Sequence, residues 1–134
     1  MRALIADDFP EPHRDQLAAR GHRCTFAPGL TADQLPDAIA GHDALVVRST
    51  RVTRAALAAA TELGLVVRAG SGTNTIDVAA AAELGVRVCN VPGRNAIAVA
   101  ELAFGLLLAI DRDIPDCVAD LRAGRWDKRR YARG

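Results

Sequence analysis

The chain has 134 residues, half of them hydrophobic and a quarter charged, with a formal net charge of +1. That balance excludes a disordered chain and describes one soluble domain long enough to bury a core, with alanine, valine and leucine filling it because aromatics are scarce. From Leu121 onward there are six basic residues and one acid, so the end of the chain is basic while the rest is mildly acidic. The Met1–Asp8 start turns acidic within a few residues, unlike a signal peptide, and the apolar stretch Ala96–Ile110 is too short to span a bilayer. Neither a membrane nor a nucleic acid is an expected partner. Three scattered cysteines, Cys24, Cys89 and Cys117, make no CxxC pair and no metal spacing; they read as small core residues in a reducing cytoplasm, with no metal site.

In chain order, Arg2–Ala6 is an apolar strand closed by Asp7 and Asp8, and Glu11–Arg20 is a helix stopped by Gly21. His22–Ala27 is a second strand. Thr31 is placed to cap a helix running to Ala40, with Gly41 as its stop. Ala44–Val47 is the third strand, and Thr53 caps a short helix to about Ala60. Leu65–Arg68 is the fourth strand, Ile76–Leu84 a helix ended by Gly85, and Val86–Cys89 the fifth strand. Five short apolar strands alternating with helices predict an α/β fold: a flavodoxin-like parallel sheet, order 2-1-3-4-5, with helices on both faces. A long helix from Asn95 to Ile110 and a second from Asp113 to Ala123 follow, Pro115 lying in the first turn of the latter. The long helix is apolar nearly all round, and Gly105 within it predicts a close packing contact.

In such a sheet, ligands sit beyond the C-terminal strand ends. The residues delivered there are Asp7-Asp8, Arg48-Ser49, Arg68 with Gly70-Ser71-Gly72, and Asn90-Val91-Pro92. Two glycines around a serine suggest a turn whose backbone N–H groups can face one anion, and an arginine fork suits a carboxylate or phosphate. The guest expected at this rim is therefore a small anion. The turn is not a dinucleotide fingerprint, because Thr75 stands where G-x-G-x-x-G needs its last glycine. His13, His22 and His42 are not placed to serve as acid or base beside Arg68, and Ser49 and Ser71 lack an adjacent base.

Four segments occur in an order and spacing that resemble a known family: Leu45–Ser49, Arg68–Asp77, Asn90–Asn95 and Ala100–Leu102. They look like the N-terminal part of the NAD-dependent D-2-hydroxyacid dehydrogenases, in particular its phosphoglycerate dehydrogenase branch, and Gly124–Trp126 followed by basic residues fits as well. The resemblance implies a substrate-binding domain over residues 1–95. Residues 96–134 would then be crossover helices and a basic tail leading to a nucleotide-binding domain absent from this chain. It implies that Arg48 and Ser49, with the backbone of Gly70, Ser71 and Gly72, bind an anionic 2-hydroxy or 2-oxo acid, phosphorylated or not, beside the Arg68 that the residues themselves place at this rim, and that Ser71 lies near the nicotinamide of NAD. The family's main NAD site and its catalytic arginine, glutamate and histidine come later in its chains. The resemblance therefore assigns no catalytic residue here and implies an inactive piece of a cytoplasmic enzyme of serine biosynthesis, a homo-oligomer when complete.

Two readings of other classes remain open. The acidic start resembles a response-regulator receiver, but Arg48 and Asn90 stand near the places where a receiver needs aspartate and lysine. A stand-alone anion-binding module that uses the apolar helix for a partner is the other.

Overall fold

The computed structural model describes residues 1–132. Its elements in chain order are β1 (Arg2–Ile5), α1 (Glu11–Ala19), β2 (Arg23–Phe26), α2 (Leu35–Ala38), β3 (Ala44–Val47), α3 (Arg54–Ala59), β4 (Leu65–Arg68), α4 (Val78–Glu83), β5 (Arg87–Cys89), α5 (Ala96–Asp111) and α6 (Ile114–Arg122). The five strands form one sheet in the order β2-β1-β3-β4-β5, every pairing parallel, as the alternation of short apolar runs with helices predicts. The chain divides into two compact units, Met1–Arg94 and the residues from Asn95 onward.

In the first unit, side chains alternate across the sheet. One face presents Leu4, Leu45, Val47 and Val66, and it meets Leu35 and Ile39, Ala56 and Leu57, and Ala80 and Ala81, so α2, α3 and α4 share that face and its core. The opposite face carries the register row Phe26, Ile5, Val46, Val67 and Cys89. There α1 lies over β2, with the Arg14 guanidinium 4.1 Å above the Phe26 ring. Along that row Ile5 is buried, Val46 and Val67 are half-buried, and Cys89 is exposed. This corrects the expectation of core cysteines: Cys24 is half-buried, and Cys89 and Cys117 are exposed. Cys89 sits on an edge strand at the far end of the row from α1, and Cys117 on a helix with no buried residue.

Local signals explain most element ends. Thr53 caps α3, its hydroxyl accepting from the Ala56 N–H at 3.3 Å, and Asp77 caps α4 by accepting from the Ala80 N–H at 2.9 Å. The expected helix from Thr31 to Ala40 shrinks to four residues. Thr31 does not cap it; the Gln34 side chain instead reaches back and accepts from the Thr31 N–H and hydroxyl, closing a turn over 31–34.

In the second unit, α5 and α6 are joined through Asp113 in the left-handed conformation (φ 48°). Neither helix has a buried residue, and Ile97, Phe104 and Ile110 on α5 are each at least two-thirds exposed. Gly105 meets no neighbour within 4 Å of where a Cβ would stand, so the packing contact expected there is not made among the described residues. The basic residues after α6 are partly used: the Asp120 carboxylate accepts from Arg125 at 2.6 Å, Arg130 at 3.0 Å and the Tyr131 hydroxyl at 2.7 Å. Beside this clasp is a mainly apolar cavity of about 330 Å³ lined by Cys117, Leu121, Trp126 and Tyr131.

Leu45 is fully buried at the centre of the first unit's core. Leu45→Ala is expected to lower unfolding stability by about 2–5 kcal/mol, the range for a cavity left by a buried leucine; urea unfolding followed by circular dichroism checks it.

Candidate functional site

The site is assembled by strand register. Val47 and Arg68 are the last residues of β3 and β4 and stand opposite each other. The Ala69 N–H donates to the Val47 carbonyl at 2.7 Å, so the loops that follow, Arg48–Thr50 and Gly70–Gly72, leave the sheet side by side. On one flank, the Ala6 N–H joins the Val46 carbonyl at 3.0 Å and brings Asp7 to the first loop; on the other, the Val91 N–H joins the Gly70 carbonyl at 3.0 Å and brings Asn90 to the second. All six residues expected at the rim, Arg48, Ser49, Arg68, Gly70, Ser71 and Gly72, therefore lie at one end of the sheet.

Within the turn after β4, three successive carbonyls each meet a donor. Gly70 accepts from Val91, Ser71 from the Asn90 side chain, and Gly72 from Arg68 Nη1 at 2.8 Å. The turn is thus tied down through its oxygens. Its amides differ in availability: the Gly70 N–H is spent on the Arg68 carbonyl at 2.8 Å, whereas Gly72 N–H has no partner among the described residues.

The glycines serve a purpose other than the expected one. Gly70 and Gly72 are absent from the positive-φ positions, so freedom of backbone conformation is not what requires them. Instead the Arg68 guanidinium folds back over the turn. A Cβ on Gly70 would lie 2.8 Å from Arg68 Nη1, and one on Gly72 would lie 3.1 Å from Asn74 Oδ1. Glycine leaves room for the arginine. Arg68 is half-buried, and its Nε is buried without a hydrogen bond among the described residues. It clamps the turn with part of its fork. Ser71 is half-buried, and its hydroxyl reaches the Val91 carbonyl at 3.4 Å.

The first loop is organised by a carboxylate. Asp7 Oδ2 accepts from the N–H groups of Arg48 at 2.7 Å, Ser49 at 3.1 Å and Thr50 at 3.1 Å. Burial pushes the Asp7 carboxyl upward, but the three amides outweigh it and hold the group below the ordinary aspartate range. The side chains of Arg48 and Ser49 are exposed and unpaired among the described residues. Sequence reasoning brought Asp7 and Asn90 to the rim without a role. The signal for both was their place one or two residues past a strand end.

Next to the turn, an isolated bridge between Val52 and Ile76 floors a polar groove of about 320 Å³ edged by Arg51, Asn74 and Asp77. The histidines stand apart from this chemistry: His42 is bonded to the Ala40 carbonyl and the Thr25 hydroxyl, and His13 packs edge-on to Phe9. The turn itself does not fit a dinucleotide pyrophosphate, since a guanidinium covers the glycines that would have to approach it.

Residues 3–124 match the family described as D-isomer specific 2-hydroxyacid dehydrogenase, catalytic domain. The chain belongs to this family. Among the relatives of this chain, the D-3-phosphoglycerate dehydrogenase of Methanocaldococcus jannaschii is 47% identical over 132 residues, which are 98% of this chain and 25% of the relative. The hydroxypyruvate reductase of Thermotoga maritima is 45% identical over 101 residues, 75% of this chain and 33% of that one. The crystal structure of NAD+-bound 3-phosphoglycerate dehydrogenase from Entamoeba histolytica superposes with a TM-score of 0.74 at 27% identity, covering 81% of this chain and 38% of the other. The chain thus spans about a quarter to a third of the length of these curated relatives.

Two outcomes are expected from the site geometry. Gly70→Ala should cost about 1 kcal/mol or less in folding, because the Arg68 tip can swing aside, yet it should break the bond to the Gly72 carbonyl; urea unfolding and a structure of the variant check both halves. For Asp7, the folded pKa lies below the unfolded value of about 3.9. Its stabilisation is therefore present above that value and lost as pH falls through the folded pKa. Asp7→Asn should be less stable than wild type at pH 6, and the gap should narrow at pH 3; unfolding curves at the two pH values measure it.

Proposed function

We propose that this chain is the substrate-binding part of an NAD-dependent D-2-hydroxyacid dehydrogenase of the D-3-phosphoglycerate type, acting in serine biosynthesis. The observation that carries the reading is near-full-length similarity, 47% over 98% of this chain, to the M. jannaschii D-3-phosphoglycerate dehydrogenase. The rim supports it. Arg48 and Ser49 offer unpaired side chains, and the Gly72 N–H has no partner among the described residues, so a carboxylate and a second anionic group can be held by different parts of one edge. In this reading residues 1–95 hold the hydroxy acid, the exposed apolar surface of α5 belongs to a crossover and to an interface between subunits, and Ser71 lies near the nicotinamide. Arg68 contributes through the turn it clamps as well as by its charge.

The redox step of the reading, a 2-hydroxy acid oxidised to a 2-oxo acid with NAD as acceptor, is assigned to no residue of this chain. What the residues here do is bind the acid and orient its charged groups. The 45% identity to a hydroxypyruvate reductase favours one second reading, a non-phosphorylated 2-oxo acid as the guest.

Titrating the chain with 3-phosphoglycerate and following amide shifts tests the proposal. Saturable shifts at residues 48–50 and 70–72 are expected, with Arg48→Ala weakening affinity roughly ten- to a hundredfold, the worth of a charge-assisted hydrogen bond. Unchanged affinity in that variant refutes the placement, and tighter binding of hydroxypyruvate favours the second reading. The chain mixed with NAD and 3-phosphoglycerate should form no NADH.

A further inference from the structure

Three successive backbone N–H groups converging on one point form a concavity that binds anions. Arg48, Ser49 and Thr50 make such a nest, and the chain fills it with its own carboxylate: Asp7 Oδ2 takes all three bonds, at 2.7, 3.1 and 3.1 Å. The loop is fixed further where the Thr50 hydroxyl donates to the Leu30 carbonyl at 3.3 Å. The Arg48 and Ser49 side chains project from this fixed backbone, exposed and unpaired among the described residues. A ligand anion arriving at the loop therefore meets side chains, because the amides are already taken.

We propose that Asp7 is a positioning residue of the rim: its carboxylate occupies the anion nest of Arg48–Thr50, fixes the backbone from which Arg48 and Ser49 reach the substrate, and closes that nest to the substrate's own anionic groups. The proposal rests on the rim reading above for its substrate, and on the three bonds alone for the nest. It assigns specificity to an internal anion. The first loop selects through a guanidinium and a hydroxyl, whose reach suits a group some distance from the sheet, and only the second loop keeps an amide for direct contact. Loss of Asp7 would convert the first loop into an open site for any small carboxylate.

The test uses 15N-labelled wild type, Asp7→Asn and Asp7→Gly, each titrated with sodium formate and, separately, with 3-phosphoglycerate. Formate is expected to leave the Arg48, Ser49 and Thr50 amides of wild type unmoved and to shift them saturably in Asp7→Gly. Asp7→Asn, which keeps the shape but not the charge, should bind 3-phosphoglycerate about fivefold or more weakly than wild type. The proposal is overturned if formate shifts the three amides in wild type, if it fails to shift them in Asp7→Gly, or if Asp7→Asn matches wild type in affinity. Should Asp7→Gly not fold, the Asp7→Asn comparison decides. A wild type that does not bind 3-phosphoglycerate defeats the rim reading, and the formate titration then decides the role of Asp7 by itself.

Discussion

The bond from the Ala69 N–H to the Val47 carbonyl, 2.7 Å long, extends the β3–β4 ladder one step past the last strand residues. Everything proposed for the site depends on that step. It puts the loop carrying Arg48 and the loop carrying Gly70 at the same height on adjacent strands, so charge from one and the Gly72 amide from the other can serve a single ligand. A slip of one residue between the strands would turn Arg68 to the other face of the sheet and leave its turn without a clamp. The register is protected by the core beneath it, where Leu45 and Val66 pair and are both fully buried.

The two loops are stabilised by opposite devices. In the first, N–H groups converge on a carboxylate; in the second, carbonyls are held by a backbone amide, a side-chain carboxamide and a guanidinium. The first loop therefore spends its backbone donors internally, and the second spends its backbone acceptors. An approaching anion is repelled by bare carbonyl oxygens and attracted by bare amides, so tying the oxygens of 70–72 to donors favours anion binding even where the donors never touch the ligand. Arg68 works in both ways, its positive charge standing over the turn while one of its nitrogens neutralises the Gly72 carbonyl.

The fold was largely legible because its signals are local. Short all-apolar runs alternating with helices lead to parallel strands. Thr53 before its helix and glycines after several others marked ends correctly. Where the reading failed, the deciding contact was tertiary or a choice between two side chains. Thr31 carried a capping signal, but its hydroxyl donates to Gln34 three residues on and caps no helix N–H, and the helix itself is only four residues long. Cys89 lies in an apolar run, yet its row runs out from under α1, and no sequence pattern tells which end of a face a helix leaves uncovered. The glycines of the turn were recognised for their presence and misread for their cause, since a close approach by an arginine two residues earlier leaves the same letters as a positive φ.

The same distinction governs the rim residues. Arg48 and Arg68 are both arginines at strand ends and look equivalent in the sequence. The structure separates them: one has an exposed guanidinium on a backbone fixed from below, and the other is half-buried against its own turn. A guanidinium already held against glycine loses little freedom when a ligand arrives, whereas an exposed one must be ordered at a cost of about 1–2 kcal/mol. In the proposed reading the two arginines would divide the work by flexibility, Arg68 supplying a preset field and Arg48 an adjustable reach. On that proposal, a pair arranged this way would tolerate guests whose second charged group varies in position, provided the group nearest the turn stays the same, which would suit a scaffold shared by relatives named for a phosphorylated and a non-phosphorylated acid.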